Sequence, residues 1–78
     1  MREKFVVFET KFIAVLSEVK DDSYSLVIDN LMVLISESKS TLSKSQVLTL
    51  LFKIHHEFEM NEFQETVFFE IEKEVESN

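Results

Sequence analysis

The sequence contains no glycine, no proline, no cysteine and no tryptophan. At average usage a chain of 78 residues would hold roughly nine glycines and prolines together, so their absence points to helices joined by tight turns. Without glycine there is no phosphate-cradling loop. Without cysteine there is no disulfide framework, any redox compartment is permitted, and the commonest nucleophile is missing. No apolar run approaches the roughly 20 residues that a membrane span needs. Arg2, Glu3, Lys4, Glu9 and Lys11 interrupt the early apolar residues, so no secretory signal is read and a cytoplasmic location is expected.

What the chain does have is apolar helical periodicity. The stretch YSLVIDNLMVLI, Tyr24 to Ile35, places Tyr24, Val27, Ile28, Leu31, Met32, Leu34 and Ile35 over nearly half of a helical circumference at about 100° per residue. Leu26 and Val33 lie on the other side, with only Asp29 and Asn30 intervening. A helix apolar most of the way round is expected to be wedged between other elements. A strand would alternate apolar with polar residues, which this run does not do.

Around it, three further helices are predicted. Phe5, Phe8, Phe12, Val15 and Val19 recur at spacings of three and four with Leu16 beside them, which is an amphipathic stripe over about residues 3 to 20. Val6 and Ile13 widen it, whereas Val7 and Ala14 project to the opposite side, either simply exposed or as a second contact surface. Asp22 or Ser23 caps the second helix, read as 23 to 37. The polar run SESKSTLS that follows reads as a solvated connection. Ser43 and Gln46 then have the spacing of a capping box, with Leu42 and Val47 placed as a hydrophobic staple. That starts a third helix at Lys44, running to about Phe58, with Val47, Leu50, Leu51, Ile54 and Phe58 inward. The five-residue gap from Phe58 to Phe63 breaks the rhythm and implies a turn near Asn61, either left-handed or capping a fourth helix over about 62 to 76; one continuous helix through Asn61 is the alternative. Phe63, Val67, Phe68, Ile71 and Val75 share one face of it and Phe69 points away. The eight phenylalanines all lie outside the second helix, which places aromatic helices around an aliphatic one. The expected fold is all-α: one compact antiparallel domain of three to four helices over residues 1 to 78, with the second helix central.

Charge is unevenly placed. Residues 1 to 56 hold seven basic and seven acidic side chains, while residues 57 to 78 hold eight glutamates and one lysine, so the whole net charge of −7 lies in the last part of the chain. Such a surface repels phosphate, which disfavours direct nucleic-acid binding and favours a basic protein partner. A chain this short has a marginal core, and expected stability is about 4 to 12 kcal/mol. Self-association would add to it, and a homodimer is expected, resting on Val7 and Phe69. The candidate interface residues are Val7, Ala14, Glu62, Glu65, Phe69 and Glu72.

Chemistry has few candidates. His55 and His56 are adjacent, so their rings diverge by about 100° on a helix and do not share one metal ion. His55 with Glu59 makes half a site at most, and no Glu-x-x-His pair exists to build a di-metal centre. No catalytic residue, metal site or cofactor is expected, and the chain is read as a non-enzyme.

The order of an apolar helix, the polar stretch SESKSTLSK, the apolar helix KSQVLTLLFKI and an acidic closing helix resembles the small enterobacterial regulators of the YmgB/AriR and YcgZ type, over roughly residues 24 to 76. The resemblance implies a small helical dimer that acts as a connector in stress and biofilm regulation by contacting signalling proteins. It departs at Leu26 and Val27, where those proteins carry Leu-Gly. The functional expectation is thus a small protein-binding regulator or inhibitor. The alternative is a structural or assembly component, such as a small chaperone or a secretion-system or virion subunit.

Overall fold

Helix α1 (Arg2–Leu16) forms on the three-four spacing of its phenylalanines and ends earlier than the apolar stripe suggests. The computed structural model describes residues 2 to 77. After Leu16 the Glu18 and Val19 amides donate to the Val15 and Leu16 carbonyls at 3.1 and 3.0 Å. These three-residue bonds tighten the last turn and stop the helix. Val19 is nevertheless 1% exposed, because the tightened turn folds it back into the core. The expected extension to Lys20 is therefore corrected, while the inward role of Val19 is not.

Helix α2 (Ser25–Thr41) starts later and ends later than expected. Its N-cap is Tyr24, whose side chain makes no capping bond. Neither Asp22 nor Ser23 caps the helix. Instead the Asp21 carboxylate accepts hydrogen bonds from the Ser23 hydroxyl and amide, a local turn one step upstream. Those two bonds hold the Asp21 carboxyl below its ordinary pKa. At the other end, SESKST is helical rather than a connection. Ser38 lies four residues after Leu34 and three after Ile35, on the core stripe, and is completely buried. Its hydroxyl donates to the Ile35 carbonyl at 2.9 Å, so a small polar residue occupies a core position without an unpaired group. The chain leaves the helix at Leu42, which is extended (φ −114°) and buried.

Helices α3 (Lys44–Glu57) and α4 (Glu62–Glu76) each open on a capping box. The Ser43 hydroxyl accepts from the Gln46 amide while the Gln46 side chain accepts from the Ser43 amide, as its sequence spacing predicts. Asn61 and Gln64 repeat the arrangement, at 2.8 and 2.9 Å. Asn61 takes extended backbone (φ −80°, ψ 176°), so the chain breaks there and the continuous-helix alternative is excluded. Among the described residues none has positive φ. Lacking glycine, α2 and α3 stop on extended residues, Leu42 and Phe58, instead of left-handed caps.

All four helices touch one another. The most extensive contacts run from α1 to α2, α2 to α4, α4 to α3 and α3 to α1, so α1 and α4 stand across the bundle from each other. The radius of gyration is 11.5 Å, in line with the roughly 11.5 Å expected of a packed chain of this length. The core comprises Phe8, Phe12, Leu16 and Val19, then Val27, Leu31, Leu34, Ile35 and Leu42, then Val47, Leu50, Leu51 and Ile54, and finally Val67, Phe68, Ile71 and Val75. Helix α2 meets its three neighbours but is not wedged between them. Its far side is open, with Leu26 82% and Val33 60% exposed. On α3, Val47, Leu50, Leu51 and Ile54 have no exposure at all, while Phe58, expected to face inward with them, is half-buried at the C-cap.

Side chains close the ends of the bundle. The Lys39 and Lys44 ammonium groups donate to the Glu74 and Glu76 carbonyls at 3.0 and 3.1 Å, placing cations at the negative end of α4. At the other end, Gln64 Nε2 donates to the Leu16 carbonyl at 3.0 Å, linking the start of α4 to the end of α1. Lys53 bridges to Glu9 at 3.0 Å and ties α3 to α1. Among the described residues, no buried side-chain polar atom lacks a partner.

Gln64 therefore serves two structural purposes, and Gln64→Ala is expected to cost on the order of 2 kcal/mol by opening the capping box and removing a buried hydrogen bond. The loss is bounded because the Leu16 carbonyl still accepts from Val19. Gln64→Glu keeps the oxygen that accepts from Asn61 but cannot donate to Leu16, so it should fall between parent and alanine variant in urea titration. A Gln64→Ala midpoint equal to the parent's would contradict this assignment.

Candidate protein-binding surfaces

On α4, Glu62, Glu65, Phe69 and Glu72 recur at spacings of three, four and three and so share one stripe. The structure turns this stripe toward the outer flank of α3. Phe69 is 49% exposed but is not isolated: its ring lies 6.2 Å from His55 and 6.4 Å from Phe68. His55 is stacked flat on Phe68, with centroids 5.2 Å apart and planes at 17°, an offset aromatic contact of the ordinary kind. His56 meets Phe52 edge-on at 6.4 Å, and Phe52 is 62% exposed. An open concavity at the α3–α4 turn is lined by both histidines, Phe58, Met60 and the acidic Glu57, Glu59 and Glu65. Among the described residues no three potential ligands are grouped to hold a metal ion.

Val7 and Ala14 lie on the outer side of α1, both exposed. The bundle does not bring them to the Phe69 stripe, because α1 and α4 face each other across the core and their outer sides point apart. One two-fold axis cannot cover both sets. The six candidate residues thus divide into two surfaces, Val7 with Ala14 and Glu62 with Glu65, Phe69 and Glu72.

A third surface lies between α2 and α4. Ile28, Leu31, Met32 and Ile35 from α2 and Val67 and Ile71 from α4 floor a groove of about 210 Å³, walled by Glu70 and Glu74. It continues past Ser36 to Lys39 as a further space of about 260 Å³. The sequence gives Ile28 and Met32 to the buried side of the second helix; in the structure Ile28 is half-buried and Met32 exposed. They escape burial because α4 meets α2 nearer the Leu31–Ile35 line and leaves the next row uncovered.

The electrostatics follow the helix pairs. Helix α4 carries six glutamates against Lys73, and α2 carries Asp29 and Glu37 against Lys39, so this adjacent pair holds −6 of the chain's net −7. Helices α1 and α3, the opposite pair, are each net +1 in sequence. No helix among the described residues is long and apolar enough to cross a membrane.

No family model matches the chain, and neither a curated protein nor a solved structure matches it.

Proposed function

We propose that this chain is a small non-enzymatic, cytoplasmic regulator or inhibitor that acts by binding a basic protein through its acidic α2–α4 face. The observation that carries this is the pair of glutamates, Glu70 and Glu74, that wall the groove between the adjacent α2 and α4, the two net-negative helices. A one-sided field steers an oppositely charged partner and disfavours partners of like charge. It equally disfavours nucleic acid on that face. The resemblance to the YmgB/AriR and YcgZ type of connector supports the same reading. Self-association belongs on the other side: Val7 and Ala14 lie on the net-positive α1, where two copies meet without opposing their glutamates, so we assign the homodimer to that face.

The reading is tested by affinity capture from the native host with the parent and a Glu70→Lys, Glu74→Lys variant, alongside Thr49→Lys on the exposed side of α3 as a control. A basic protein held by the parent and the control but lost from the charge-reversed variant is the expected result. Retention by all three would overturn the reading. An assembly-component role predicts a different outcome, co-purification of one large complex that survives the charge reversal.

A further inference from the structure

We infer that the α2–α4 groove is the seat of a basic amphipathic helix from the partner protein. The inference rests on the protein-binding reading above and adds where the partner sits and in what form. From Ile28 to Lys39 the groove follows α2 for eleven residues, about 16 Å or three helical turns at 1.5 Å per residue. That length suits anchors at i, i+3 or i+4, and i+7 of a docked helix.

The floor and walls set the chemistry of the occupant. Ile28 and Met32 are the accessible side chains of the floor, laid over buried Ile35, Val67 and Ile71, so the inserted stripe is aliphatic or aromatic. Methionine at such a surface adapts its shape to the knob it receives. The α4 wall is acidic, with Glu70 and Glu74. Two cations lie near it. Lys39, at the far end of the groove, donates to the Glu74 carbonyl and offsets part of the charge there, while Lys73 lies 3.5 Å from Glu70 as an exposed pair with 74% and 59% side-chain accessibility, which is weak screening, so the Glu70 end is the acidic one.

A second copy of this chain is the competing occupant, and charge decides against it. Two copies related by a two-fold axis through the groove would set Glu70 and Glu74 of one copy against those of the other, and juxtaposed like charges are costly. A helix with lysine or arginine flanking its apolar stripe meets the floor and the walls together.

The test uses the full chain and a synthetic leucine–lysine amphipathic peptide of about 18 residues, long enough to hold a helix. Isothermal titration is expected to give one peptide per chain, weakening with added salt. A peptide of the same composition with its apolar stripe scrambled, and a leucine–glutamate helix, should bind at least about tenfold more weakly. Met32→Lys, which occupies the groove at an exposed position, and Glu70→Gln with Glu74→Gln should each weaken the leucine–lysine helix by about tenfold, with helix content and melting checked by circular dichroism. Equal binding of the scrambled peptide, or unchanged affinity in both variants, overturns the inference. So does a parent dimer that Met32→Lys dissociates, which would give the groove to a second copy. If affinity capture is lost on charge reversal while this peptide fails to bind, the protein-binding reading stands and the helix-in-groove inference falls.

Discussion

Phe12→Ala is expected to lower stability by about 3 to 5 kcal/mol, the range for a buried phenylalanine truncated to alanine. Phe12 is 0% exposed and sits mid-stripe on α1, so the lost transfer energy is joined by the cavity term of a site that water cannot enter. With about 4 to 12 kcal/mol expected for a domain of this length, the variant loses about a quarter of its stability at the least and can be largely unfolded at room temperature. Urea titration followed by far-ultraviolet circular dichroism measures the loss. A decrease below about 1 kcal/mol would mean that α1 is not part of the core.

Leu31→Ala should cost about 2 to 3 kcal/mol, the lower part of the range for buried leucine. Leu31 is 2% exposed but also borders the α2–α4 groove, so neighbouring side chains can settle and solvent can reach part of the vacated space. The order of the two variants carries the information. If Leu31→Ala were the more damaging, α2 would be the enclosed helix that its composition suggests, and the open flank bearing Leu26, Met32 and Val33 would be covered in solution.

The fold is legible in the sequence wherever burial and periodicity coincide. Phe8, Phe12 and Leu16, four of the five inward residues of α3, and Val67, Phe68, Ile71 and Val75 are buried as their spacing predicts, while Phe5, Val15, Phe58 and Phe63 on the same stripes are half-buried. The Ser43–Gln46 box also marks a helix start by spacing alone. Asn61 and Gln64 carry the same three-residue signal with asparagine in place of serine, which would have decided for a break between α3 and α4. Ser38 was beyond reach of hydrophobicity, because its core position is made acceptable by a bond to its own helix. The ends of α1 and α2 depend on where Gln64, Lys39 and the Asp21 turn make their bonds, and none of these contacts is local to the apolar pattern.

The surfaces were harder to read. Periodicity identifies a residue that faces away from a core, as it does for Val7 and Phe69, but not which outward residues share a side. That depends on the order of helices around the bundle. The same order explains the charge. Composition along the chain locates an acidic fourth helix, whereas the pairing of α4 with α2 sets Glu70 and Glu74 along an apolar groove between them.

The central claim is that this acidic, grooved side is the one that meets the partner, and site-specific photo-crosslinking in the native host tests it directly. A photoreactive phenylalanine analogue replaces Met32 in the groove or Thr10 on the exposed outer side of α1. The account predicts crosslinks from position 32 to a lysine- or arginine-rich helical segment of another protein, abolished by Glu70→Lys with Glu74→Lys, and no such adduct from position 10. Crosslinks to a foreign protein from position 10 and none from position 32 would contradict it.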